Sequence, residues 1–131
     1  MSTSQKLLDY IKQHKDSIFR WGENDCCTFA SNWVQESRGD NPLELLGHYG
    51  GYTSELEGMK LIKKLGGLPN ILNGALGESQ HPSTAKPGDI VCAELSDGET
   101  LGICLGVDSV FLGTKKLERA RTLSANQCWS I

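Results

Sequence analysis

Residues 87–113 read PGDIVCAELSDGETLGICLGVDSVFLG, and this stretch decides the fold. Three short runs rich in β-branched and apolar residues, DIVCAEL (89–95), TLGICLGV (100–107) and SVFLG (109–113), are separated by the SDGE segment and by Asp108-Ser109. Runs of that length, bounded by Gly, Asp and Ser, read as strands joined by tight turns. Turns so short predict antiparallel neighbours. A further run, QCWSI, occupies 127–131.

Upstream, the apolar period changes to that of helices. Residues 3–15 place Leu7, Leu8 and Ile11 on one side and Lys6, Lys12, Gln13 and Lys15 elsewhere, which predicts an amphipathic helix. Gly22, Asn24 and Asp25 break that pattern. From Cys26 the apolar positions fall at Phe29, Ala30, Trp33 and Val34, offsets of three, four, seven and eight. A second helix therefore starts here, with Cys26 on its buried face at the first turn. Arg38-Gly39-Asp40-Asn41-Pro42 stops it; the Arg-Gly-Asp triplet is read as that stop and not as an integrin ligand. Ser54 with Glu57 three residues later is a capping-box pattern for a third helix over 54–65. Its stripe is Leu56, Met59, Ile62 and Leu65, and Gly66-Gly67 closes it. Residues 66–88, dense in Gly, Asn, Ser and Pro, read as a long surface connection with a short helix over 71–76. Helices first and strands second predict one α+β domain over residues 1–131, with N-terminal helices packed on a small, mostly antiparallel sheet.

The chain of 131 residues, 38% hydrophobic and 22% charged, is long enough for one core and has a globular composition. No run approaches the roughly 18 apolar residues of a membrane span. The N-terminal MSTSQKLLDYIKQHK has no apolar segment of the kind a secretory signal needs, so a cytoplasmic protein is expected. Thirteen basic and sixteen acidic residues are mixed along the chain, for a net charge of −3, which argues against nucleic acid as a partner. Lys115, Lys116, Arg119 and Arg121, around Glu118, are read as a solvated strand or turn. Five cysteines, an odd number, with Cys92, Cys104 and Cys128 in apolar runs, read as buried reduced thiols and not as a disulfide framework. No CxxC pair and no cysteine–histidine spacing suggests a metal, and no cofactor is implied.

Chemistry concentrates at Cys26. Backbone N–H groups and the dipole at a helix N-terminus favour a thiolate, the nucleophilic form of cysteine. A buried core cysteine obeys the same spacing, so both readings stand. Asp25 either caps the helix or orients a catalytic partner. Of the three histidines, His14 reads as a solvated cation at a helix C-terminus, His81 as exposed, and His48, in a Gly-Tyr loop, as the candidate for a base. Cys27 points about 100° from Cys26 on a helix and is expected outside its site. Trp21 and Trp33 read as core anchors or stacking platforms. Tyr49 and Tyr52, which flank Gly50-Gly51, are placed to line a groove over Cys26.

WGENDCCTFA (21–30) resembles the segment around the active cysteine in the NlpC-type branch of the papain-like cysteine hydrolases. KPGDIVCAE (86–94) and LGICLGVDSVFLG (101–113) resemble that branch's Pro-Gly-Asp strand and the Val-Gly-Ile-Tyr-Leu-Gly strand after it. The order of motifs over residues 19–131 is also similar to a family found mostly in phage and prophage tail-assembly regions. The resemblance implies a papain-like fold in which Cys26 takes the nucleophile position and a histidine immediately precedes the Val-Gly-Ile stretch. Here that position is Thr100, followed by Leu101, and neither accepts a proton from a thiol at neutral pH. The expectation is a degenerate NlpC-like protein acting in phage tail assembly or another protein–protein contact, with a phage tail or host protein as partner. It would reside in the cytoplasm of a bacterial host or on the virion. The alternatives are an active cysteine amide hydrolase of the cell-wall peptidase type that uses Cys26 with another base, and a phage-encoded inhibitor that binds a host protein through the cleft. The sequence sets no oligomeric state.

Overall fold

A computed structural model describes residues 3–14, 16, 19–20, 24–41, 54–95, 98–113 and 117–131. Among the described residues four helices come first: α1 (Thr3–His14), α2 (Cys26–Arg38), α3 (Glu55–Lys64) and α4 (Leu68–Leu76). Five strands follow: β1 (Ile90–Leu95), β2 (Gly98–Cys104), β3 (Asp108–Leu112), β4 (Leu117–Arg121) and β5 (Gln127–Trp129). They form one sheet in the order β4-β3-β2-β1-β5 with every neighbouring pair antiparallel. The α+β class and the antiparallel sheet are therefore as the sequence predicts. Among the described residues no helix is long and apolar enough to cross a membrane.

Strand alternation sorts the sheet residues between two cores. Ile90, Cys92, Leu101, Ile103 and Val110 face α1, α2 and α4, where they meet Leu7, Phe29, Trp33 and Leu72. Val91, Ala93, Cys104 and Phe111 face the other way, against Ala125 and Ala85, which flank the short 3-10 turns Thr122–Ser124 and Pro82–Thr84. Gly102 belongs to this second face for a steric reason. A Cβ there would come within 2.4 Å of the Phe111 ring and 2.6 Å of the Val110 carbonyl oxygen.

The Pro-Gly-Asp turn before β1 ties several elements together. Gly88, at φ 98°, donates its N–H to the Cys104 carbonyl (2.8 Å) and accepts from the Trp33 indole (2.7 Å). Asp89 accepts from the Lys86 amide (2.9 Å) and the Ile131 amide (3.3 Å). The fully buried Trp33 thus fixes the middle of α2 to the start of β1, with its polar atom satisfied.

Three sequence expectations change in detail. The short helix expected over 71–76 begins three residues earlier, at Leu68, and runs nine residues, because Leu68, Ile71 and Leu72 are buried along one side. The basic segment is a true edge strand, β4, with Arg119 and Arg121 exposed as a solvated strand requires; Lys115 and Lys116 lie outside the described residues. In α3, Ser54 accepts from the Glu57 amide at 3.2 Å as the capping pattern predicts. Its expected stripe is split, however: Ile62 and Leu65 pack on the core, while Leu56 and Met59 are each 61% exposed.

Gly39, at φ 95°, ends α2 by donating its N–H to Gln35, and Arg38 folds back in a bidentate pair with Asp40 at 2.6 and 2.8 Å. The Arg-Gly-Asp triplet is therefore a helix stop with its own charges paired.

Candidate functional site

The first turn of α2 is positioned by its cap. Asp25 is extended (φ −119°, ψ −175°), and its carboxylate accepts from the Thr28 amide at 2.9 Å. The Thr28 hydroxyl returns the favour, accepting from the Asp25 amide at 2.7 Å and donating to the Asp25 carbonyl at 3.1 Å. Reciprocal bonds of this kind satisfy donors that a helix start leaves open. Asp25 is completely buried; of its two expected roles, the structure shows the cap.

Cys26, the next residue, is half-buried, whereas Cys27 is buried. Their sulfurs lie 3.9 Å apart, so Cys27 does share the Cys26 site, contrary to the helical-wheel expectation. The Cα–Cβ directions differ by about 100°, but at the first turn the side chains bend toward the same opening. The Cys27 thiol is the largest influence on Cys26 and lowers its pKa below the ordinary thiol value. Burial opposes this; the Leu101 and Cys27 backbone amides add to the lowering, and the Asp25 charge counters it. The net direction is down, toward thiolate. Beneath it, Cys92 on β1 is pushed up to about 12 by burial first, then by the charges of Glu99, Cys26 and Glu94. Of Cys26 and Cys92, Cys26 is the one disposed to ionise.

Cys26 and Cys27 open into a cavity of about 770 Å³, within the range of small-molecule sites. Its apolar walls come from Phe19, Leu56, Met59, Leu68 and Leu112. Lys60, Lys63, Glu99 and Glu118 also border it. Leu56 and Met59, exposed in α3, are thus explained as walls of this space. The sequence stripe assigned them to the core because cavity-facing and core-facing residues share one helical period.

Thr100 and Cys26 both border this cavity, and Thr100 pairs with Ala93 across β1 and β2. Its hydroxyl donates to the Gly98 carbonyl at 2.9 Å. Among the described residues lining the cavity there is no histidine. His14 is half-buried and not a free surface cation: its Nδ1 bonds the Tyr10 carbonyl at 2.9 Å, and its ring packs on Tyr10 and Phe29. His81 is exposed and caps the 3-10 turn at Pro82 by accepting from the Ser83 amide. His48, Tyr49, Tyr52 and Trp21, named from the sequence as candidates, lie outside the described residues. Trp33 is a core anchor.

The chain belongs to the family described as a domain of unknown function, DUF6950, whose model matches residues 2–131. No curated protein matches it.

Proposed function

We propose that this protein is an NlpC-like, papain-like domain that retains the thiol and the cleft of a cysteine hydrolase without its base, and acts by holding an apolar group of a partner in the cavity beside Cys26. The observation that carries this reading is Thr100, which borders the same cavity as Cys26 and has its hydroxyl committed to the Gly98 carbonyl. Amide cleavage needs a group that takes a proton from the nucleophile and delivers it to the leaving amine. A threonine hydroxyl does neither at neutral pH. The apolar walls favour a ligand that removes nonpolar surface from water, worth about 25 cal/mol for each Å² buried. The setting suggested by the sequence resemblance is phage tail assembly, with a tail or host protein presenting that group.

A second reading, a working amide hydrolase, draws on the lowered pKa of Cys26. Peptide and cell-wall amide substrates separate the two. Incubation of the purified chain is expected to give no cleavage above that of Cys26→Ser. Cleavage that disappears in Cys26→Ser sinks the binding reading and establishes the hydrolase.

A further inference from the structure

Breaking an amide and exchanging a thioester place different demands on a cysteine site. An amine leaves only after it is protonated, which is why a histidine is required. A thiolate leaves from a thioester unaided, because attacking and departing sulfurs have similar affinity for a proton. A half-buried cysteine at a helix start, with no histidine among the described residues that line its cavity, suits the second reaction and not the first.

We infer that Cys26 accepts an acyl group from an apolar acyl thioester and holds the chain in the adjoining cavity. The inference rests on the reading that the site lacks a hydrolytic base, and it names the ligand class for the same cavity. The Cys26 sulfur, as thiolate, attacks the thioester carbonyl carbon; a new C–S bond forms, the donor's C–S bond breaks, and the donor departs as a thiolate. One thioester replaces another, so no oxidant, metal or added proton is needed. Negative charge on the carbonyl oxygen develops at the N-terminus of α2, where the helix dipole favours an anion. Three features of the structure converge on this reaction. Cys26 is half-buried while the other four thiols are buried; its sulfur lies 3.9 Å from the Cys27 sulfur at the capped first turn of α2; and the space in front is about 770 Å³ with walls that include Leu56, Met59, Leu68 and Leu112. An acyl chain is uniform apolar surface with its reactive carbon at one end, which matches a nucleophile set at the edge of an apolar cavity.

Intact-mass spectrometry of the full chain, incubated with acetyl, butyryl and octanoyl thioesters of N-acetylcysteamine, reads the transfer directly. The expected result is one acyl group per chain, on Cys26 and removable by neutral hydroxylamine. At subsaturating donor its rate rises with chain length by up to about fourfold per added methylene. Cys26→Ser takes up no acyl group. Met59→Glu, at a position 61% exposed, lowers the octanoyl rate toward the acetyl rate. Equal acetyl and octanoyl rates, no adduct at all, or acyl groups spread over other cysteines would overturn the inference while leaving the base-free reading in place. Cys26-dependent cleavage of an anilide analogue of the same octanoyl group overturns that underlying reading instead.

Discussion

At its middle, α2 presents Trp33 and Val34, both with no exposed surface, to the sheet and to α1. At its first turn the same helix presents Cys26 and Cys27 to a cavity of about 770 Å³. The first region is tightly packed; the Trp33 indole is paired with Gly88 and the Tyr10 hydroxyl with the Phe29 carbonyl at 2.6 Å, and the buried Ser31 hydroxyl is left without a partner among the described residues. The second leaves Leu56 and Met59 exposed and a thiol disposed to ionise. The contrast teaches that stability is concentrated in one part of the domain, so that the part around Cys26 can forgo close packing. Substitutions should therefore cost stability steeply in the first region and very little in the second.

The sharpest test is Trp33→Ala, which empties a core site and leaves the Gly88 carbonyl without its donor. A loss of about 3–5 kcal/mol in urea unfolding is expected; a loss below about 1 kcal/mol would erase the contrast.

Next comes pH. Burial keeps Cys92 protonated up to about pH 12, whereas an unfolded thiol ionises near about 8.5. Between those values the folded chain holds one proton more than the unfolded chain, so stability falls as pH rises. The slope is about 1.4 kcal/mol per pH unit for one such thiol, and it vanishes below the unfolded pKa. Cys92→Ala should flatten the alkaline limb of a stability–pH curve; an unchanged slope would assign that limb to other groups.

Asp25 sits at the boundary between the regions and separates packing from electrostatics. Asp25→Ala removes the cap and should cost about 1 kcal/mol. Asp25→Asn keeps the acceptor but removes the charge that raises the Cys26 pKa. Its iodoacetamide reaction at Cys26, followed by mass spectrometry, should shift to lower pH; a shift to higher pH contradicts the electrostatic account. The smallest effect belongs to Met59→Glu, expected to stay within about 0.5 kcal/mol of the parent stability because its side chain packs on no core residue. A large loss there would place the cavity wall inside the stabilising core.

Much of this fold was legible because its signals are local. The short β-branched and apolar runs DIVCAEL and LGICLGV marked β1 and β2, Ser54 and Glu57 marked the start of α3, and Gly39 marked the end of α2. The site was legible in part. Cys26 was found from its offset to Phe29 and Trp33, and Thr100 from the motif around Leu101-Gly102-Ile103; both line the cavity. Cys27 was set aside because a helical wheel records direction and not reach, and two side chains on one turn can still bring their sulfurs within 3.9 Å. Leu56 and Met59 were assigned to the core because a hydrophobic stripe does not say whether it meets side chains or open space.

Local patterns in the sequence set the succession of helices and strands, the antiparallel sheet, a thiol at the start of α2, and a threonine at position 100 ahead of Leu101-Gly102-Ile103. These follow from periodicity, capping and residue identity, all encoded within a few neighbouring positions. The tertiary structure alone brings Cys27 to Cys26 and leaves an apolar cavity between α3 and β3 beside them. The physical reason is one of range. The space between elements is the outcome of contacts among residues distant in the chain, and no short stretch of sequence specifies how closely two packed elements approach.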